Sequence, residues 1–474
     1  MLRTFKDVQV AIVGIGRSNQ ALCRYLLKEG AVVTCFDRKA KEELGDTYQS
    51  LSELGVGWSL GEGYLESLPE HKYIFLTPGM KKHQPQILRA KENGSVISTE
   101  IALFLERCKA RVGGVTGSAG KTTSSTLAGL MLRESLPGTD VYVGGNIGSV
   151  LIEKVDEISE DAIVVLELSS FQLQLCRRSP HISLFLNVRP NHLDIHENFT
   201  EYVESKKNIF RFQAGNDWAF LNYDDPLLRQ MADECPGHTG FFSLAPSKIN
   251  STAGTGPIRA WLEGDCLVYD PGDGTGPVLA ARRADFMVPG NHNISNALGA
   301  ILLSTGLGAN YEGIRRAIKS FHGVEHRIEY VGEIGGVKFY NDSIATSPDR
   351  TIALIESMQG PIVLILGGYD KGLPFDELAG RVVERRCKAV LLGACAGKIE
   401  EAIRKAQKQA AQDGQEIAVA RASSLQDAVA IARSMASPGD SVVLSPACAS
   451  YDMFSNFEER GRLFKAIVYS LNRT

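Results

Sequence analysis

Short apolar runs alternate with stretches of helical periodicity along most of the chain. Up to about Thr99, the runs Val8–Val13, Ala31–Phe36, Tyr73–Leu76 and Val96–Ser98 read as strands, with helical patterns at Ala21–Lys28 and Pro85–Lys91. That alternation predicts a parallel sheet with helical crossovers. A second block opens near Glu100 and carries strand patterns at Arg111–Val115, Ala162–Leu168 and Ile182–Val188. Between Gly237 and Pro277 the texture becomes short-stranded and rich in glycine and proline, which predicts a β-rich elaboration or mobile loops before the helical pattern Asn293–Ser304. From about Gly323 a third block shows strand patterns at Val337–Tyr340, Pro361–Leu366, Ala389–Leu392 and Ser441–Leu444. The expectation is an α/β protein of three consecutive domains, residues 1–99, 100–322 and 323–474, with ligands outside the carboxyl ends of strands.

Composition narrows the function. Hydrophobic residues at 44%, charged residues at 22% and a net charge of −4 are ordinary globular values, and they argue against a nucleic-acid or membrane surface. Small-molecule partners are expected. Nine cysteines without a C-x-x-C pair give neither a disulfide framework nor a zinc spacing. No apolar run approaches the roughly 20 residues of a membrane span, and a strand pattern begins almost at once, so a cytoplasmic, unprocessed protein acting as a monomer is expected.

The strongest chemical signal is Thr116-Gly117-Ser118-Ala119-Gly120-Lys121-Thr122-Thr123, which follows the apolar run Val112–Val115 and precedes a helical pattern. Strand, glycine turn and helix N-terminus in that order form a phosphate cradle. Backbone N–H groups close round an anion, Lys121 reaches terminal phosphates, and the hydroxyl of Thr122 can ligate Mg²⁺. ATP is the expected nucleotide, and the central domain is expected to be a P-loop ATPase. A second glycine turn, Gly14-Ile15-Gly16, ends the first strand, and Asp37 closes the next about 20 residues on, where a dinucleotide fold places its ribose-binding acid. The third glycine position of that fingerprint is Asn19. A bound pyrophosphate is expected there, and an NAD-dependent oxidoreductase remains a rival of a different class.

Further segments join these: Val143–Gly148, Glu167–Gln172, Asn191-His192-Leu193-Asp194 with Lys206, Asn291–Asn296, His326-Arg327, Asn341-Asp342-Ser343, Gly367–Lys371 and Leu444–Ser450. In this order, over essentially the whole chain, they resemble the Mur ligases, most closely the branch that adds glutamate to UDP-N-acetylmuramoyl-L-alanine. The resemblance implies an N-terminal Rossmann-like domain that binds UDP, a central ATPase, and a C-terminal Rossmann-like domain that closes over the site with the amino acid. It implies ligation of D-glutamate through an acyl phosphate, with release of ADP and phosphate. L-glutamate ligation and a folylpolyglutamate synthetase-like ligase are the nearer alternatives, and a non-catalytic nucleotide-binding regulator is a further one.

Roles follow from the same resemblance. Gly14, Ile15, Gly16 and Arg17 would cradle the diphosphate, with Asp37 or Arg38 at the uridine end and Ser169 and Asn146 near the acceptor. Gly117–Thr123 would hold the phosphates of ATP, and Asn293, Asn296, Arg327 and Asp342 its adenine and ribose. Lys121, Asn146, His192 and Lys206 would form the catalytic set. Two Mg²⁺ ions would be held by Thr122, Glu167, His192 and a CO₂-derived carbamate on Lys206, which the Tyr-x-x-x-Lys and Lys-x-x-Ile spacings select over Lys207. Thr346, Lys371, Ser450, Tyr451 and Phe457 would take the glutamate.

Read alone, these residues have plainer roles. Glu167 is then a solvated acid at a strand tip, His192 a loop histidine bonded to Asp194, Lys206 a solvated helix-face lysine, Asn293 and Asn296 helix caps, and Phe457 a core residue. One departure stands out: after Asn341-Asp342-Ser343 the glutamate-adding branch usually has a lysine, whereas this chain has Ile344. A cation next to the acceptor pocket is missing, and Ile344 is expected to reshape the amino-acid pocket.

Overall fold

Parallel pairing organises the amino-terminal block: β1 (Gln9–Val13), β2 (Val32–Asp37), β3 (Gly57–Leu60), β4 (Tyr73–Leu76) and β5 (Val96–Ser98) lie in the order β3-β2-β1-β4-β5. Every pairing in this sheet is parallel. The strand order reverses between β1 and β4, so their carboxyl ends open the crevice where such sheets take ligands. This computed structural model describes residues 4–190, 195–245, 257–410 and 416–471.

A nine-stranded sheet follows, built from β6 (Arg111–Thr116), β7 (Val141–Gly145), β8 (Ile163–Glu167), β9 (Ile182–Phe185), β10 (Trp218–Asn222), β11 (His238–Ser243), β12 (Arg259–Glu263), β13 (Cys266–Asp270) and β14 (Val278–Arg282), in the order β14-β13-β12-β11-β10-β9-β6-β8-β7. Its strands are parallel as far as β12, and β13 and β14 extend it by antiparallel pairing. The described residues of the glycine- and proline-rich tract are therefore a β-rich extension of the central sheet. The six-stranded sheet comprises β15 (Glu329–Ile334), β16 (Val337–Asn341), β17 (Ile362–Gly367), β18 (Lys388–Leu392), β19 (Val419–Arg421) and β20 (Ser441–Leu444), in the order β15-β16-β20-β17-β18-β19.

The chain divides into two compact units, Met1–Arg283 with Ser295–Ile318, and Ala284–Ile294 with Lys319–Thr474. In the first, one apolar cluster runs from Leu22 and Leu26 of the helix Arg17–Lys28 through Phe104, Ile152 and Val155 to Leu166 and Phe185. The five- and nine-stranded sheets thus share a continuous core. In the second, successive residues of β17 go to opposite cores, Leu364 and Leu366 to one and Val363 and Ile365 to the other, as a strand covered on both faces requires. No helix of the described residues is long and apolar enough to cross a membrane.

Packing between the helices Lys121–Ser135 and Tyr311–Ser320 is close enough to exclude a side chain at Gly313, where a Cβ would lie 2.6 Å from the Cα and N of Ser135. Gly313→Ala should lower stability by about 1–3 kcal/mol through overpacking. Denaturant midpoints check this, and an unchanged midpoint would contradict the packing.

Candidate active site

The phosphate loop bridges β6 and the helix Lys121–Ser135. Gly120 caps that helix at φ +86°, a conformation glycine adopts without strain, and a Cβ there would sit 2.9 Å from Cγ of Asn296. Asn296 is thus packed against the loop. Asn187 clamps its other side: the Ser118 N–H donates to the Asn187 carbonyl at 3.0 Å, and the Ala119 N–H donates to Oδ1 at 2.9 Å. Lys121 curls over the turn, its Nζ donating to the carbonyls of Gly117 at 2.9 Å and Ser118 at 3.3 Å. Thr122 is half-buried and Thr123 buried in the first helical turn.

Glu167 ends β8 directly beside Val115 of β6, which sets it level with the start of the loop. It is buried, and its Oε1 accepts from Asn146 Nδ2 at 2.9 Å. The Asn146 N–H also donates to the Glu167 carbonyl at 2.9 Å. Oε2 is buried with no hydrogen-bond partner among the described residues. A buried carboxylate oxygen without a donor is costly, and an oxygen-seeking divalent cation removes that cost. The donor set therefore fits Mg²⁺. His192 lies outside the described residues.

Lys206 sits in the last turn of the helix Phe199–Lys207 and is only 1% exposed. Its Nζ donates to the Gly117 carbonyl at 2.9 Å, lies 3.4 Å from Thr116 Oγ1 and stands 4.8 Å over the Tyr202 ring. Burial, and then the charge of Lys121, holds this amine well below the usual lysine range, against the pull of Glu167. Lys207, its neighbour, instead pairs with Glu234 at 2.8 Å. Tyr202 links the same helix to the loop, its hydroxyl 2.8 Å from Ser118 Oγ. Ser169 caps the short helix after Glu167, and Ser170 Oγ lies 2.9 Å from Nε2 of the buried His196. His196 and Asn187 were not among the expected site residues, because neither a strand-end asparagine nor a loop histidine carries a spacing of its own.

The first glycine turn is built for a close approach. Gly14 has φ +79°, and a Cβ would lie 2.6 Å from Cγ2 of Thr77 at the end of β4. The Ile15 N–H donates to Asp37 Oδ2 at 2.7 Å, and the Lys39 N–H donates to Oδ1 at 3.0 Å. Asp37 thus braces the turn. The side chain of Asn19 donates to the carbonyls of Val13 at 3.0 Å and Gly14 at 2.8 Å, which explains why this position is not the third glycine of a dinucleotide fingerprint. Gly16 caps the helix Arg17–Lys28, and Gly16, Arg17 and Arg38 are exposed.

In the second unit Asn293 is buried and donates to the Pro289 carbonyl at 2.7 Å. Asp342 follows β16, accepting from the Ile328 N–H at 3.2 Å and from Ser445 Oγ at 2.9 Å. Burial pushes its carboxyl up to about 7, although those two bonds and the charge of Arg327 oppose the rise. The Tyr369 N–H donates to the Ala449 carbonyl at 2.9 Å, aligning the exposed Lys371 segment with the buried Ser450. Tyr451 is exposed with its ring 6.2 Å from that of Tyr369, Thr346 is half-buried, and Phe457 turns its half-buried ring toward His326 at 6.0 Å. The buried Arg460 pins these segments together: Nε donates to Ser343 Oγ at 3.0 Å, Nη2 to the Ser343 carbonyl at 2.9 Å, and Nη1 and Nη2 to the Cys448 carbonyl at 3.2 Å. Burial lowers its pKa to about 10. Sequence reading missed it because an arginine in an amphipathic helix reads as a surface residue.

Known proteins resemble this chain throughout. Family profiles described as a MurD-like Mur ligase N-terminal domain, a Mur ligase middle domain and a Mur ligase glutamate ligase domain match residues 8–99, 115–304 and 326–448. A UDP-N-acetylmuramoylalanine–D-glutamate ligase of Symbiobacterium thermophilum is 48% identical over 98% of both chains. One from Acetivibrio thermocellus is 44% identical over 99% of this chain and 98% of its own. Among solved structures, the UDP-N-acetylmuramate-alanine ligase MurC of Thermotoga maritima shares the fold, at TM-score 0.52, with 18% identity over 98% of this chain and 99% of that one. The MurF ligase of Thermotoga maritima in complex with ADP does so at TM-score 0.53, with 16% identity over 98% of this chain and 96% of that one.

The depressed amine of Lys206 makes a signed prediction. Between its lowered folded pKa and the unfolded value of about 10.4, the folded chain binds fewer protons than the unfolded one, so this group disfavours folding increasingly as pH falls. Lys206→Met should therefore be no less stable than the parent at neutral pH, with an advantage that grows from about pH 10 downward. Denaturant midpoints across that range check it, and a difference independent of pH would contradict it.

Proposed function

Because this chain belongs to the Mur ligase family, we propose that it joins D-glutamate to the alanyl carboxylate of UDP-N-acetylmuramoyl-L-alanine in peptidoglycan precursor synthesis. ATP is split to ADP and phosphate. The observation that carries this reading is the buried pair at the phosphate loop, Glu167 with its unpartnered oxygen and Lys206 with its depressed amine. Burial of each carries a desolvation cost. Both fit a site that gathers charge around a transferring phosphoryl group.

A carboxylate does not accept an amine in water, because its oxygen is a poor leaving group. Attack of that oxygen on the γ-phosphorus of ATP gives an acyl phosphate and ADP, and the amine of glutamate then adds to the acyl carbon and expels phosphate. Charge builds on the phosphoryl oxygens, so the protein's part is positioning and cationic stabilisation. Lys121, already curled over the loop, supplies one cation, and the amides of the helix start supply further donors. Asn146, fixed by Glu167, is proposed to orient the acceptor carboxylate, with Ser169 near it.

Mg²⁺, when bound, would neutralise phosphate charge, and Thr122, Glu167, His192 and a modified Lys206 are the proposed holders of two ions. Burial favours the uncharged amine, the form nucleophilic toward CO₂; Lys206 would form the new N–C bond and release a proton, becoming an anionic carbamate. Gly14–Arg17, Asp37 and Arg38 are proposed for the UDP moiety. Asn293, Asn296, Arg327 and Asp342 are proposed for adenosine, and Thr346, Lys371, Ser450, Tyr451 and Phe457 for glutamate. On this reading residues 1–99, 100–322 and 323–474 bind UDP, ATP and the amino acid, in a cytoplasmic monomer.

Purified protein with ATP, UDP-N-acetylmuramoyl-L-alanine and D-glutamate should release ADP and phosphate only when all three substrates are present. Recovery of AMP and pyrophosphate, or equal turnover without the UDP-sugar, would overturn the acyl-phosphate reading. Lys121→Ala should fold normally and lose on the order of 10²-fold or more in kcat; near-normal turnover in a folded variant would remove Lys121 from the mechanism.

A further inference from the structure

The glutamate set named above contains one cation, Lys371, whereas glutamate brings two carboxylates. Charge alone calls for a second cation near Thr346, and Ile344 does not provide it. Arg460 and Arg350 donate hydrogen bonds to the segment 341–346, and the charge of Arg327, proposed above for the nucleotide, also reaches Asp342. Arg460 cannot supply the contact, because its guanidinium is buried and its nitrogens already donate to Ser343, Cys448 and Ala449. Arg350 is different. It lies in the first turns of the helix Pro348–Ser357 and is exposed, and its Nη1 donates to the Ile344 carbonyl at 3.0 Å.

That single bond holds the guanidinium beside the position where the cation is lacking, while Nε and Nη2 have no partner among the described residues. Its charge also reaches Asp342, whose carboxyl it pulls downward. The helix is fixed from below: Thr351 Oγ1 donates to the Ser445 carbonyl at 3.1 Å and lies 3.0 Å from Ser445 Oγ, which donates to Asp342 at 2.9 Å. The backbone that carries Arg350 is therefore tied to the strand end that leads to Ser450. An arginine with one donor used for anchoring still presents a planar pair of N–H groups, the geometry that matches a carboxylate.

We propose that Arg350 is a specificity-determining residue that binds one carboxylate of the incoming amino acid, restoring from the following helix the cation that Ile344 lacks. The proposal rests on the ligase reading of the preceding section. It commits to a dicarboxylic amino acid and to a contact made by Arg350 itself.

Steady-state kinetics test it with three variants. Arg350→Ala should raise the KM for D-glutamate roughly tenfold or more, the loss expected for a charge-assisted hydrogen bond, while the KM for ATP moves less than about twofold. Arg350→Lys should recover part of the loss, since the charge remains and the fork does not. Ile344→Lys placed in the Arg350→Ala background should lower the glutamate KM again, a result that a purely structural arginine would not give. An unchanged glutamate KM in Arg350→Ala, a larger change in the KM for ATP, or no recovery in the double variant would overturn the role of Arg350. Absence of any glutamate-dependent ADP release by the parent protein would instead overturn the ligase reading, and the role of Arg350 with it.

Discussion

Removal of a lysine amine from water without a carboxylate to meet it is the constraint around which the central site is arranged. Lys206 has a carbonyl, a hydroxyl and an aromatic face for company, and Lys121 adds a like charge nearby. A folded chain tolerates such a group by holding its proton less tightly, and the price is stability below the ordinary lysine pKa. The same local structure leaves Glu167 with one buried oxygen and no donor. Two side chains are thus held in states that water would not favour, on adjacent edges of one phosphate loop. Energetic cost without structural return is what a site poised for cations and phosphate should show.

Much of this was legible in the sequence. The order of strand, glycine turn and helix around Lys121 was readable from its spacing, and the alternating runs predicted the parallel sheets. The two glycine turns also separate correctly, one in a nine-stranded sheet and one in a five-stranded sheet. Short or half-exposed edge strands were not visible: β3 and β19 carry too few apolar positions to form a pattern. The burial of Lys206 was also beyond periodicity, because its neighbour Lys207 has the same composition and the opposite surroundings. The spacing around Lys206 singled it out through the family resemblance, and the fold supplies the physical difference between the two lysines.

The residues missed share a physical reason. Asn187 acts through one side-chain amide at the end of β9, Arg460 through backbone carbonyls in two separated segments, and His196 through Ser170. Each makes sense only through partners distant in sequence. Asn19 is the converse case, where a departure from a fingerprint weakened the dinucleotide reading and the structure supplies its physical reason. Its side chain closes the turn that a third glycine would have left open. Ile344 is read in the same way: a substitution at one position shifts a requirement to another, and the geometry points to Arg350 on the next helix.

The central proposal is that burial, by lowering the pKa of Lys206, favours the uncharged amine that CO₂ uptake requires. Carbon-13 NMR of the protein equilibrated with ¹³C-bicarbonate tests it without reference to turnover. The account predicts one carbamate carbon signal in the parent protein that disappears in Lys206→Met. A parent spectrum with no carbamate signal, or a signal that survives in Lys206→Met, would contradict it.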